Sequence, residues 1–165
     1  MMTIRPATPA DLPAINAIYN HYVLTSTATY QTVPSTEAQR RDWFAGHGAR
    51  HPVFVAQLGA DDASIVGWSS LSPFHARAAF DRTVENSVYV HPDHLRQGHG
   101  QKLLGHLIDM ARGLDHHAIV ALIDSEQGPS LALHGRHGFG QVGRLPQVGR
   151  KFGRWLDLVY MQLIL

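Results

Sequence analysis

Apolar positions along the chain follow two rhythms, one of helical spacing and one of strand spacing. Leu12, Ile15, Ile18, Tyr19 and Tyr22 recur at steps of three and four and form one stripe of a helix. Thr8-Pro9 marks its start, with Thr8 as N-cap, proline at the first helical position and Asp11 in the first turn. A second stripe, Leu103, Leu104, Leu107, Ile108 and Ala111, predicts a helix over 98–114. Shorter helices are predicted over about 35–44 and over 129–137, the latter ended by Gly138. Strand-like runs occupy 3–7, 53–58, 65–71, 83–90, 118–124, 139–143 and 155–163. The order β-α-α-β-β-β-α-β-α-β-β predicts a mixed α/β domain. Loops are short, such as GADD at 59–62, and nothing reads as a linker or repeat, so 1–165 is expected to be one domain.

Composition narrows the function classes. The chain has 165 residues, 44% of them hydrophobic and 16% charged, as a globular domain requires. Fourteen Lys and Arg against thirteen Asp and Glu give a net charge of +1, which argues against a nucleic-acid partner. No apolar run approaches the roughly 18 residues of a membrane span, and the N-terminus lacks the pattern of a signal peptide. No membrane partner and a cytoplasmic location are therefore expected. The absence of cysteine excludes thiol catalysis, disulfides and cysteine-based metal sites. The chain's twelve histidines raise the question of a metal. Pro92 makes a turn between His91 and His94, His116 and His117 are adjacent, and there is no H-E-x-x-H, so no metal site is expected.

The densest chemical signal lies at 83–108, where a strand meets a turn and Gly98-x-Gly100 opens a helix. Glycines there let backbone N–H groups face an anion, with the helix dipole behind them and Arg96 adding charge. A glycine-rich turn before an ordinary helix would look the same. The segment matches neither a P-loop nor a dinucleotide fingerprint. Glu85 stands inside a strand, on the face shared by Thr83, Ser87 and Tyr89. It is either a base beside an anion site or a surface carboxylate paired with Arg77 or Arg82. His134 lies one turn beyond Ser130, either as an acid–base group or as a polar helix end.

Four ordered blocks carry a resemblance to a known family. They are IRPATPADLPAINAIYNHYV at 4–23, TVENSVYVHPDHLRQGHG at 83–100, SLALHGRHGFGQVG at 130–143 and VGRKFGRWLDLVYMQ at 148–162. Together they resemble the GNAT superfamily of acyl-CoA-dependent N-acetyltransferases, and within it the phosphinothricin and methionine sulfoximine/sulfone acetyltransferases. The resemblance implies a central, mostly antiparallel, twisted sheet splayed at strand 83–90 and flanked by helices. It implies acetyl-CoA as co-substrate, a small amino-acid-like amine as acceptor, and a homodimer. Val88, Tyr89 and Val90 would then pair with the pantetheine arm, and Arg96, Gln97, Gly98, His99, Gly100 and Gln101 would hold the pyrophosphate. Gln127 and Ser130 would complete the cofactor site. Glu85 takes the place of the general base and of a substrate contact, and His134 that of the acid for the departing thiolate. His75, Ala76 and Arg77 fall where the substrate's acidic end is held. Two positions depart from the pattern, Leu95 for Gln or Arg at the head of the phosphate loop and Gln127 for asparagine. A different amine, such as an aminoglycoside or a protein N-terminus, and a non-catalytic acyl-CoA-binding module are the alternative functions.

Overall fold

The computed structural model describes residues 1–59 and 64–165, so most of the loop predicted at 59–62 lies outside the described residues. Strand β1 (Met2–Pro6) leads through a short 3-10 turn at Pro9–Asp11 into helix α1 (Leu12–Thr25) and helix α2 (Glu37–Ala45). Strands β2 (Val53–Leu58), β3 (Ser64–Pro73) and β4 (Thr83–Val90) follow, then helix α3 (His99–Gly113) and strand β5 (Ala118–Asp124). Helix α4 (Gly128–Arg136) and the hairpin of β6 (Gly140–Lys151) and β7 (Arg154–Ile164) close the chain. The seven strands form one sheet in the order β1-β2-β3-β4-β5-β7-β6.

The two helical stripes cover opposite faces of that sheet. Leu103, Leu104, Leu107, Ile108 and Ala111 of α3 are buried. Four of them join a cluster with Phe54, Leu71, Val84 and Ile119, while Leu103 packs with Ala56 and Val66. Leu12, Ile15 and Ile18 of α1 pack instead against Val53, Val55 and Trp68. Alternation along the strands decides the partner, since Val53 and Val55 turn to α1 while Phe54 turns to α3. The same alternation sends Val84 to α3 and leaves Glu85, Ser87 and Tyr89 on the α1 side.

Every neighbouring pair is antiparallel except β4 and β5, which run parallel with α3 as the crossover. Their pairing covers only Thr83–Ala118, Val84–Ile119 and Glu85–Val120. Beyond it β4 stays with β3 as far as Val90, and β5 stays with β7 as far as Asp124. The sheet therefore opens between them, as the resemblance implied.

One prediction fell short. The strand expected at 139–143 runs on to Lys151, through Pro146. β6 is an edge strand whose ladder to β7 is irregular between Gln141 and Gly143 and again between Leu145 and Gly149. An edge tolerates proline and glycine that a central strand would not, so the pattern hid the strand.

The entry into α1 rests on Asp11. Its carboxylate accepts from Arg5 Nη1 and Nη2 at 2.7 Å each, from Thr8 N at 2.7 Å and from Thr8 Oγ1 at 3.0 Å. The Arg5 hydrogen bonds are the largest cause holding this carboxyl below its usual range, and burial opposes them. A depressed carboxyl stabilises the fold above its unfolded pKa, and that contribution fades as pH falls through the folded value. Asp11→Asn should cost about 2 kcal/mol at pH 7, and the gap to wild type should shrink below roughly pH 4, read from urea unfolding at each pH.

Candidate active site

Where β4 and β5 part, a cleft of about 700 Å³ opens. Val88, Tyr89 and Val90 form one wall, while Ala121, Ile123 and Asp124 stand across from them. The mouth is the loop into α3. Arg96 adopts φ 60° and Gly98 φ 80°, and Gly98 caps the helix. Left-handed residues next to a helix start turn successive N–H groups toward one point and make an anion cradle. Arg96, Gly98, His99, Gly100 and Gln101 all line the cleft, as do Gln127 and Ser130, whereas Gln97 does not. Leu95, the departure at the head of the loop, puts an exposed apolar side chain on the same wall. The His99 ring is buried with neither nitrogen hydrogen-bonded, and burial lowers its pKa.

A second cavity of about 440 Å³ adjoins the first on the α1–α2 side. Glu85, Ser87 and Tyr89 line both, so the β4 face expected from alternation is their common wall. Glu85 is the last β4 residue paired to β5. Its carboxylate has no hydrogen bond or ion pair among the described residues. Arg82 is held instead by Asp115 at 2.6 Å, and Arg77 is exposed. Burial pushes the Glu85 carboxyl above the ordinary glutamate range.

The segment between α1 and α2 walls this cavity with Thr27, Thr29, Tyr30 and Gln31. Three polar anchors fix it. Buried Lys151 donates from Nζ to Ser26 O at 2.6 Å and Thr29 O at 2.7 Å. Buried Asp124 accepts from Thr27 Oγ1 at 2.5 Å and Tyr30 OH at 2.9 Å. Gln127 donates from Nε2 to Thr27 Oγ1 at 3.0 Å, which engages its amide with this loop at the edge of the cleft. The sequence reading missed Asp124, Lys151 and the 27–31 wall. Their signal is slight, an aspartate ending a continuous apolar strand.

His134 sits in the cleft wall, 4% exposed. Its Nδ1 lies 2.8 Å from Ser130 O, a carbonyl that can only accept, so Nδ1 carries the proton. Nε2 then accepts from Asn86 Nδ2 at 3.0 Å. Burial, the largest cause, lowers the pKa of this ring, and the resting imidazole is neutral. His75, Ala76 and Arg77, expected at the acidic end of a substrate, are exposed on the loop after β3 and line neither cavity, and the His75 ring lies 5.0 Å from that of Phe80. Among the described residues no three His, Asp or Glu side chains cluster as metal ligands would.

The profile of the Acetyltransferase (GNAT) family matches residues 15–139. The chain belongs to the GNAT acetyltransferase family. Among its GNAT relatives, the L-amino acid N-acyltransferase MnaT of Escherichia coli (strain K12) is 44% identical over 98% of this chain and 93% of its own. An L-methionine sulfoximine/L-methionine sulfone acetyltransferase of Salmonella typhimurium is 43% identical over 98% and 94%. A phosphinothricin N-acetyltransferase of Alcaligenes faecalis is 40% identical over 97% and 81%. An acetyltransferase from Salmonella typhimurium, solved with acetyl-CoA, superposes with a TM-score of 0.93 at 42% identity, covering 99% of this chain and 93% of that one. The splayed sheet is thus the GNAT fold.

In this GNAT chain the edge strand also shapes the smaller cavity. A Cβ at Gly149 would lie 2.5 Å from Tyr30 Cε2, so only glycine leaves room for the ring that reaches Asp124. Gly149→Ala should cost about 1–3 kcal/mol in thermal or urea unfolding, and Tyr30→Ala in the same chain should relieve most of that clash.

Proposed function

We propose that this chain transfers the acetyl group of acetyl-CoA to the amine of a small amino acid of the phosphinothricin, methionine sulfoximine or methionine sulfone kind. The observation that carries the reading is Glu85, a carboxylate without a partner among the described residues, standing on the wall common to the two cavities. The smaller cavity takes the acceptor and the larger takes acetyl-CoA. The names of the relatives support the acceptor class, and the acetyl-CoA complex of the solved neighbour supports the donor.

In this mechanism the pantetheine arm runs along Val88, Tyr89 and Val90, whose β5 side carries no strand pairing. The pyrophosphate sits over the loop from Arg96 to Gln101 at the start of α3. An α-ammonium has an unperturbed pKa near 8 and must lose a proton before it can attack. Glu85 accepts that proton, directly or through a water. The amine nitrogen then bonds to the acetyl carbon, and a backbone N–H near Val88 steadies the oxyanion, worth about 3 kcal/mol. The carbon–sulfur bond breaks as the attacking nitrogen sheds its second proton, and His134 passes that proton to the departing thiolate. The His134 Nε2 must itself be protonated to serve, and it loses the Asn86 donor in doing so. With no cysteine in the chain, transfer passes through no cysteine acyl-enzyme.

The same reading includes a cytoplasmic homodimer. Val142, Leu145, Val148, Phe152 and Trp155 are exposed apolar side chains on and around the β6–β7 hairpin, which ends in the free edge of β6. A second copy covering them would remove both the patch and the edge. Light scattering at micromolar concentration should give twice the 18.2 kDa chain mass, and Trp155→Glu should give the monomer.

The pH profile tests the base. Glu85 works only when ionised, and burial raises its pKa, so kcat/KM should fall as pH drops through a value above the usual glutamate range of about 4.3. Glu85→Gln should lower kcat about 100-fold and abolish that acid limb. An unchanged kcat at saturating acetyl-CoA would remove Glu85 from the mechanism.

A further inference from the structure

Among the described residues Arg40 is a buried cation without an anion. Thr36 and Gln39 form the box that starts α2, Gln39 N donating to Thr36 Oγ1 at 3.2 Å and Thr36 N to Gln39 Oε1 at 2.9 Å. The next residue, Arg40, is turned inward and only 4% exposed. Its guanidinium carbon lies 4.7 Å from the ring centre of Tyr19, 4.6 Å from that of Trp43 and 5.9 Å from that of Trp68. Its Nε donates to Asn16 Oδ1 at 3.1 Å, and Asn16 is itself oriented by donating to Ser35 O at 2.9 Å. The fork is therefore held in one pose by rings and by a fixed acceptor. Its two terminal nitrogens have no hydrogen-bond partner and no carboxylate within ion-pair distance among the described residues. They are not sealed off either, and Arg40 lines the 440 Å³ cavity that also holds Glu85.

Burying a charge without a counter-ion is costly, and ring faces offset that cost only in part. A protein keeps such a group where a ligand completes it. Among the described residues lining this cavity, Arg40 is the only lysine or arginine. Lys151 is saturated by backbone carbonyls, and Arg77 is outside. The cavity thus offers a proton acceptor, Glu85, and a planar cationic fork, Arg40. A zwitterionic amino acid presents the matching pair, an ammonium and a carboxylate. Sulfone, sulfoximine and phosphinate side chains differ in charge, so the α-carboxylate is the one anion that such acceptors share.

We infer that Arg40 is the binding group for the α-carboxylate of the acceptor amino acid, through the two terminal nitrogens that no described residue partners. The inference rests on the proposed function and adds the group that selects an amino acid over a plain amine.

The test pairs L-methionine sulfone with its decarboxylated counterpart, 3-(methylsulfonyl)propan-1-amine, using thiol release from saturating acetyl-CoA. Wild type should favour the amino acid in kcat/KM by on the order of 100-fold. Arg40→Met should lower kcat/KM for the sulfone by on the order of 100-fold, chiefly through KM, and leave the amine within about threefold of wild type. Arg40→Lys, which keeps charge and loses the fork, should fall between. Comparing enzymes on one substrate cancels the difference in amine basicity, and the amine reports whether each variant is folded. An Arg40→Met variant that loses both substrates equally, or neither, would overturn the inference. So would a wild type that turns over the amine as well as the sulfone, a result that needs no variant. A wild type that acetylates no amino acid at all would overturn the proposed function, and the role of Arg40 with it.

Discussion

Strand β4 has two neighbours that run away from each other, and the site follows from that conflict. It is hydrogen-bonded to β3 along nearly its whole length, while β5 is bonded to β7 along its own. Three residue pairs are all that join β4 to β5. Past Glu85 the two halves of the sheet separate, and backbone that would form a ladder faces a cleft instead. Exposed strand backbone in a narrow, half-apolar cleft is a template for an extended ligand carrying amides of its own. The crossover helix begins at the end of the same strand, so its N-terminal dipole points at the cleft mouth. One topological fact thus sets the groove, the anion cradle at one end and the carboxylate at the other.

Asp124, Lys151, Glu85 and Arg40 are buried or half-buried acids and bases around this opening, and their partners divide them. Asp124 is satisfied by two hydroxyls and Lys151 by backbone carbonyls, which makes them fasteners for the wall at 26–31. Among the described residues Glu85 has no partner, and Arg40 is bound only through Nε. A satisfied buried charge holds structure, while an unsatisfied one beside a cavity keeps its interaction for a ligand. The neutral His134 belongs between the two kinds, because both its nitrogens are engaged in the resting state and one must change partner to move a proton.

Much of this was legible in the sequence for specific reasons. The α3 stripe and the β5 run announced themselves by period and continuity, and both elements fall where the pattern put them. Glu85 stood out because a carboxylate is rare inside a strand, and alternation gave its face. The long β6 was hidden because an edge strand obeys neither alternation nor the exclusion of proline. The Arg40–Arg41 doublet shows the limit of local reading. Arg41 is exposed beside Glu37 while Arg40 is buried among rings. Helical spacing carries a faint signal, for Trp43 and Phe44 lie three and four residues after Arg40 and share its face. Charge outvotes that signal in any single-sequence reading, since burial of an arginine depends on α1 and β3, which are distant in the chain.

The irregular edge strand ties the smaller cavity to the outside of the molecule. Gly149 lies under Tyr30, and Lys151, the last residue of β6, fastens the carbonyls of the same wall. Val148 and Phe152, adjacent to those two residues, are exposed and apolar. Inward and outward roles therefore alternate within five residues of one strand and its turn. The strand cannot shift register to suit one side without moving the other, because a one-residue slip would turn Lys151 to solvent and Val148 and Phe152 inward. Proline and glycine at 146 and 149 are thus not signs of a loose end. They let an edge strand bend to meet the 26–31 wall while keeping its apolar residues outward, so the shape of the smaller cavity and the character of that surface are fixed by the same few residues.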